Sequence, residues 1–202
     1  MSRARGDAGG GDAGALFEQG WYRYAQRRPS PHWDARPAGV HADLLVLHDI
    51  SLPAGEFGGG FIDDLFLGTL DHRARSEFAE LEGLRVSAHF LIRRDGALLQ
   101  YVSCDQRAWH AGASSFRGRA RCNDFSIGIE LEGTDTVPFE QAQYDSLAAL
   151  VSALIQAYPI RAMAGHSDIA PGRKTDPGPL FDWLAIRRAS GLAVAAFPSH
   201  EG

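Results

Sequence analysis

The 202-residue chain has the length of one domain and can bury a core without disulfide or metal staples, which excludes a large multidomain machine. Hydrophobic residues make up 45% and charged residues 22%, and a net charge of −5 gives no general attraction to nucleic acid or an anionic membrane. Two cysteines, Cys104 and Cys122, are too few for a disulfide framework or a four-cysteine metal site and read as reduced thiols of a cytosolic protein, so the eight histidines are the residues to follow.

In chain order, residues 1–14 carry Arg, Gly, Asp and Ala without an apolar run, so they are neither a signal peptide nor a core element and are expected to be disordered. No stretch approaches the ~20 apolar residues of a membrane helix. The folded body is expected over 15–189 as one domain without internal repeats, followed by a flexible tail over 190–202. Leu44-Leu45-Val46-Leu47 reads as a strand buried on both faces and ending at His48; 51–60, with Pro53, Gly55, Gly58, Gly59 and Gly60, reads as a loop. Asp95-Gly96 predicts a hairpin turn between arms at 86–94 and 97–102, with His89 inside the first arm. Over 127–132 the pattern alternates, placing Ile127, Ile129 and Leu131 on one strand face and Gly128, Glu130 and Glu132 on the other. After Pro138, residues Leu147, Leu150, Val151, Leu154, Ile155 and Tyr158 keep helical spacing; 161–165 returns as a strand and 180–188 as a short last helix. Strands and helices mixed with a hairpin imply an α/β or α+β fold, a mixed central sheet flanked by helices.

The segment from Gly165-His166 to Lys174-Thr175-Asp176-Pro177-Gly178-Pro179 reads as a long loop, and loops held in one shape usually carry function. Pro177 biases Asp176 towards an extended conformation, so Lys174 and Asp176, two apart, point into one space. A surface ion pair beside a solvated histidine has the same signature. His48, at the end of an apolar strand, stands where ligand-binding residues sit in α/β sheets, although a core histidine bonded to backbone sits there too. Two histidines and a carboxylate suit catalytic zinc, with a fourth position left for water. His48, His166 and Asp176 can supply that set, at spacings too wide to be diagnostic. Glu130, flanked on its strand by Gly128 and Gly133, is either a general base or an exposed strand glutamate like Glu132.

Together, Pro29-Ser30-Pro31-His32, Leu47-His48-Asp49-Ile50-Ser51-Leu52-Pro53, Arg85-Val86-Ser87-Ala88-His89, Arg107-Ala108-Trp109-His110-Ala111-Gly112, the run from Cys122 to Gly133 and the loop above resemble the zinc-dependent N-acetylmuramoyl-L-alanine amidases of the amidase-2 type. The likeness runs from Gly20 to about Arg187 and is narrowest to the cytosolic branch that acts on 1,6-anhydro-N-acetylmuramyl peptides in cell-wall recycling. It implies the fold shared with peptidoglycan-recognition proteins and phage amidases. It implies zinc on His48, His166 and Asp176, with Glu130 handling the water's proton and Lys174 stabilising the oxyanion. The bond cut would join the muramic lactyl group to L-alanine. Arg85 and Arg121 match basic positions that meet stem-peptide carboxylates, and Trp109 offers its face to the sugar or packs in the core. His32, His89 and His110 read as structural or as orienting the metal ligands; His41, His72 and His200 carry no argument.

Two positions depart from the pattern. Ala88 replaces a tyrosine of the phage enzymes and recognition proteins, which leaves the catalytic burden on Glu130. Asp49, counted with the substrate-binding candidates, stands where the cytosolic branch usually has Asn and adds a charge beside His48. The expected protein is a cytoplasmic monomer whose partner is an anhydromuropeptide, with no nucleic acid or membrane bound. An amidase for intact peptidoglycan and a metal-free recognition module remain as alternatives.

Overall fold

The unbroken Leu-Leu-Val-Leu run forms the middle of a sheet because all four side chains are out of water, each worth about 1.5–3 kcal/mol when fully buried. In the computed structural model, which describes residues 16–197, one sheet has six strands: β1 (Gln26–Arg27), β2 (Leu44–Ile50), β3 (Phe90–Ile92), β4 (Leu98–Gln100), β5 (Ser126–Glu132) and β6 (Ala162–Gly165). Their order is β6-β2-β5-β3-β4-β1, with every pairing parallel except the β3–β4 hairpin. The sheet is therefore mixed, as expected. At the hairpin turn Gly96 takes a φ of 84°, and a Cβ there would lie 2.7 Å from the Ala142 carbonyl oxygen, so both backbone and space demand glycine.

Among the described residues, four α-helices flank the sheet: α1 (Phe61–Leu67), α2 (Gln141–Ala157), α3 (His166–Ile169) and α4 (Trp183–Ser190). Ile127, Ile129 and Leu131 join Leu45, Leu47 and Met163 in a core with Leu147, Leu150, Val151 and Leu154 of α2. A capping box starts α2: Glu140 accepts from the backbone of Gln143, whose side chain accepts the Glu140 N–H at 3.0 Å. Elsewhere, Leu91, Leu99 and Tyr101 pack with Ile62, Leu65 and Phe66 of α1.

The structure corrects several expectations. Strand β2 continues through His48 to Ile50 because it stays paired with β5 to Glu132. Glu132 is not an exposed strand residue: it is 1% exposed and ion-paired to Arg93 at 3.0 Å. The loop expected from Gly165 opens with a turn of helix, α3. Helix α4 starts only at Trp183, where the Asp182 carboxylate accepts the Ala185 N–H at 2.9 Å. In the expected flexible tail, Ala196 and Phe197 are buried, and Phe197 meets Trp183 edge-on at 6.4 Å. The expected disorder of 1–14 and the end of the tail lie outside the described residues. No described helix is long and apolar enough to cross a membrane.

Candidate metal centre

Strands β2 and β6 are parallel neighbours with Gly165 opposite Leu47, so His166, the first residue after β6, emerges beside His48. The following segment folds back, its Asp176 carbonyl accepting the Ser167 N–H at 2.9 Å. Three side-chain atoms meet: His48 Nδ1 and His166 Nδ1 are 3.0 Å apart, and Asp176 Oδ2 lies 3.1 Å from the first and 3.0 Å from the second. All three residues are buried, and they form a group able to hold a metal ion. Nitrogen and oxygen ligands about 2.0–2.1 Å from a tetrahedral cation lie roughly 3.3 Å from one another, so the residues fit such an ion with little movement.

The far sides of both imidazoles are fixed. His166 Nε2 lies 3.2 Å from the Ala111 carbonyl oxygen, which can only accept; the proton is thus assigned to Nε2, and Nδ1 turns a lone pair to the centre. His48 Nε2 lies 2.9 Å from His110 Nδ1, and His110 Nε2 lies 3.1 Å from Ser126 Oγ; with the His48 proton assigned to Nε2, its Nδ1 turns a lone pair to the centre in the same way. Three acceptors facing one point require a cation or added protons between them. Burial opposes protonation, pushing the His48 imidazole down to about 4 and His110 well below its ordinary value. Burial works to raise the Asp176 carboxyl as well, but hydrogen bonds with His166 and His48 outweigh it and hold it low.

Glycine at 128 makes room for this chain. A Cβ there would stand 2.4 Å from His110 Cγ, so the ring fits only over a strand position without a side chain. The Gly128 N–H donates to His89 Nδ1 at 3.0 Å, and His89 Nε2 reaches the Gln106 carbonyl at 3.1 Å, so His89 is a neutral structural residue.

Glu130 on β5 pairs in register with His48 on β2, which places the two side chains side by side on one face. Its Oε2 is buried without a hydrogen-bond partner among the described residues. Burial raises its pKa well above the ordinary carboxylate range, the charges of Asp176 and Asp49 raise it further, and Lys174 opposes them. Lys174 is exposed, with no ion-pair partner among the described residues, and its charge acts on Glu130, Asp49 and His48. Asp49 falls on the opposite strand face by alternation, where burial and the neighbouring Asp135 push its carboxyl up to about 7.

The binding candidates differ in their surroundings. Trp109 is half-buried, stacks on His32 at 5.9 Å and 13°, and donates its indole N–H to Asp34 Oδ1 at 3.2 Å. Arg85 is exposed and shares a cavity of about 140 Å³ with His32, Leu65 and Leu84. Arg121 has a left-handed backbone (φ 64°) and a 71% exposed side chain whose Nε is 3.1 Å from Asp124 Oδ2. His32 thus joins Trp109 and Arg85, whereas Arg121 rides on the separate turn at Cys122–Asp124. Sequence reasoning missed Asn123 on that turn, whose Oδ1 accepts the N–H groups of His110 at 3.1 Å and Ala111 at 2.8 Å. The legible signal nearby was Gly128, since glycine inside a strand marks a close approach.

Comparison with known proteins gives this geometry a family. Residues 40–179 match the family described as N-acetylmuramoyl-L-alanine amidase. The chain is 62% identical over 174 residues to 1,6-anhydro-N-acetylmuramyl-L-alanine amidase AmpD of Escherichia coli K12, covering 85% of this chain and 95% of that one. A crystal structure of a selenomethionine AmpD derivative superposes with a TM-score of 0.84 at 60% identity, covering 86% of this chain and 98% of that one. The E. coli amidase AmiD, solved with anhydro-N-acetylmuramic acid-L-Ala-D-γ-Glu-L-Lys as substrate, aligns with a TM-score of 0.55 at 32% identity, covering 78% and 61%. With a family match across more than half its length, and with a His-His-Asp group able to hold a metal ion, the chain belongs to the N-acetylmuramoyl-L-alanine amidases.

Proposed function

We propose that the chain hydrolyses the amide between the lactyl group of 1,6-anhydro-N-acetylmuramic acid and L-alanine, with zinc on His48, His166 and Asp176, in the recycling of peptidoglycan. The observation that carries this reading is the convergence of His48 Nδ1, His166 Nδ1 and Asp176 Oδ2 beside the buried Glu130. A 62% identical relative named for that amide supports the substrate class. Bound there, zinc supplies Lewis-acid polarisation of the carbonyl and a water acidified to near neutrality.

Glu130 Oε2, which no donor among the described residues occupies, takes a proton from the attacking water and delivers it to the departing alanine nitrogen, leaving a lactyl carboxylate and a free amine. Lys174 offsets the negative charge that develops on the carbonyl oxygen. Arg85 and Arg121 take carboxylates of the stem peptide, and Trp109 presents its half-buried ring to the sugar. One chain provides every one of these groups, which supports action as a monomer. Both cysteines are free and buried, which suits the cytoplasm.

Mass spectrometry of products from anhydromuropeptide and from intact sacculi, side by side, tests the substrate. Cleavage of the first with little release from the second is expected; preference for sacculi would assign the enzyme to the intact wall. Metal analysis belongs with it. Zinc is expected in the purified chain and its loss, together with activity, in Asp176→Ala and His166→Ala. A protein with neither zinc nor cleavage would be a recognition module.

A further inference from the structure

Both metal-binding histidines are oriented by one dipeptide. His110 gives its ring Nδ1 to His48 Nε2 at 2.9 Å, and the next residue, Ala111, gives its carbonyl oxygen to His166 Nε2 at 3.2 Å. A tilt of this dipeptide therefore moves both imidazoles at once. Its own two N–H groups, from His110 and Ala111, converge on a single atom, Asn123 Oδ1, at 3.1 and 2.8 Å. Two donors fix which end of the Asn123 amide faces them, and an amide oxygen has two lone pairs to meet both.

The platform under Asn123 is braced. Arg36 Nη1 donates to the Asn123 carbonyl at 3.2 Å and to that of Asp124 at 3.0 Å, and Arg107 Nη1 holds the Asp124 carboxylate at 3.2 Å. On the other side, Ser114 Oγ accepts the Cys122 N–H at 3.1 Å. Ala111 is held a second time through Arg173 Nη2, which donates to its carbonyl at 2.8 Å.

We propose that Asn123 is the positioning residue of the metal centre: by gripping both N–H groups of His110-Ala111 it fixes the acceptors that aim His48 and His166 at the ion. The inference rests on reading that group as a metal site. Among the described residues the Asn123 side chain bonds the N–H groups of His110 and Ala111 and none of the three ligand atoms, so its contribution is read in the metal. Partners of ligating histidines commonly change metal affinity by 10- to 100-fold.

The experiment uses the full chain, with zinc affinity measured by competition with a chromophoric chelator and coordination read from the visible spectrum of the cobalt(II)-substituted protein. Asn123→Ala is expected to weaken zinc about 10- to 100-fold and to shift the cobalt bands. Asn123→Asp, which keeps an oxygen able to accept both N–H groups, is expected to restore affinity and spectrum. If Asn123→Ala does not fold, Asn123→Ser, whose shorter hydroxyl cannot serve both donors, takes its place with the same expected direction. Wild-type affinity in the Ala or Ser variant, even with a lowered melting temperature, overturns the proposal, as does an Asp variant as weak as the Ala variant. Failure of the wild-type chain itself to bind zinc would overturn the metal reading, and this inference with it.

Discussion

Glu130 and Glu132 are the same residue type, two apart on the same face of β5, and they have opposite surroundings. Glu132 accepts the Gly58 N–H at 2.7 Å, Arg93 Nη1 at 3.0 Å and the Arg94 N–H at 3.2 Å; Arg93 continues to Asp63 at 2.6 Å. Glu130 keeps a buried oxygen without a partner among the described residues, and burial, with the charges of Asp176 and Asp49 added, raises its pKa well above the ordinary carboxylate range. A buried carboxylate with both oxygens engaged is a structural tie, here between the sheet, the Gly-rich loop and α1. A buried carboxyl with an open lone pair and a displaced pKa is available for proton transfer. Partners, not burial, divide the two roles.

The largest effect that would break this division is on turnover. Glu130→Gln is expected to lower kcat by about 10²- to 10⁴-fold while zinc content stays at the wild-type level. A full rate in that variant, measured by steady-state kinetics, would remove Glu130 as the proton carrier. Glu132→Ala is expected to do the reverse. Removing one of the two carboxylates of Arg93 and the acceptor of two backbone N–H groups costs on the order of 1–3 kcal/mol, read as a lowered urea midpoint, with kcat per folded molecule kept within a few-fold. An unchanged midpoint would show that the Arg93–Glu132–Asp63 cluster contributes nothing to stability.

The smallest effect sharpens the contrast through pH. Because the folded pKa of Glu130 lies above its unfolded value, the folded state binds the extra proton. Its stabilising share is complete below about pH 4.3 and is lost as pH rises through the folded pKa, at up to about 1.4 kcal/mol per pH unit. In the metal-free protein, Glu130→Gln should therefore match wild type in acid and become the more stable of the two at neutral pH. Chemical denaturation at a series of pH values checks it, and an advantage that grew towards acid would contradict the burial of that carboxyl.

Much of the fold was written in local pattern. The alternation at Ile127, Ile129 and Leu131 and the helical spacing from Leu147 to Leu154 both report which faces are apolar, and those faces meet in one core. The turn at α3 was illegible because four residues cannot show a helical period. The burial of Glu132 was illegible because its partners lie 39 and 74 residues away. The same holds at the metal centre. Residue chemistry singled out His48, His166 and Asp176, but His48 and His166 are 118 residues apart, and only the parallel pairing of β6 with β2 makes them neighbours. The resemblance to a family supplied what spacing could not. Asn123 had no pattern of its own, since its work is done by one oxygen against another segment's backbone.

The bare Gly128 position has a consequence for engineering. Transplanting two histidines and an aspartate to the ends of strands in some other parallel sheet would reproduce the donor atoms and not their aim. The recipient also needs a notch one side chain wide in the neighbouring strand, so that a third imidazole can stand edge-on to the first. A scaffold search that scores only the three donors would accept sheets whose ordinary alanine already forbids the site.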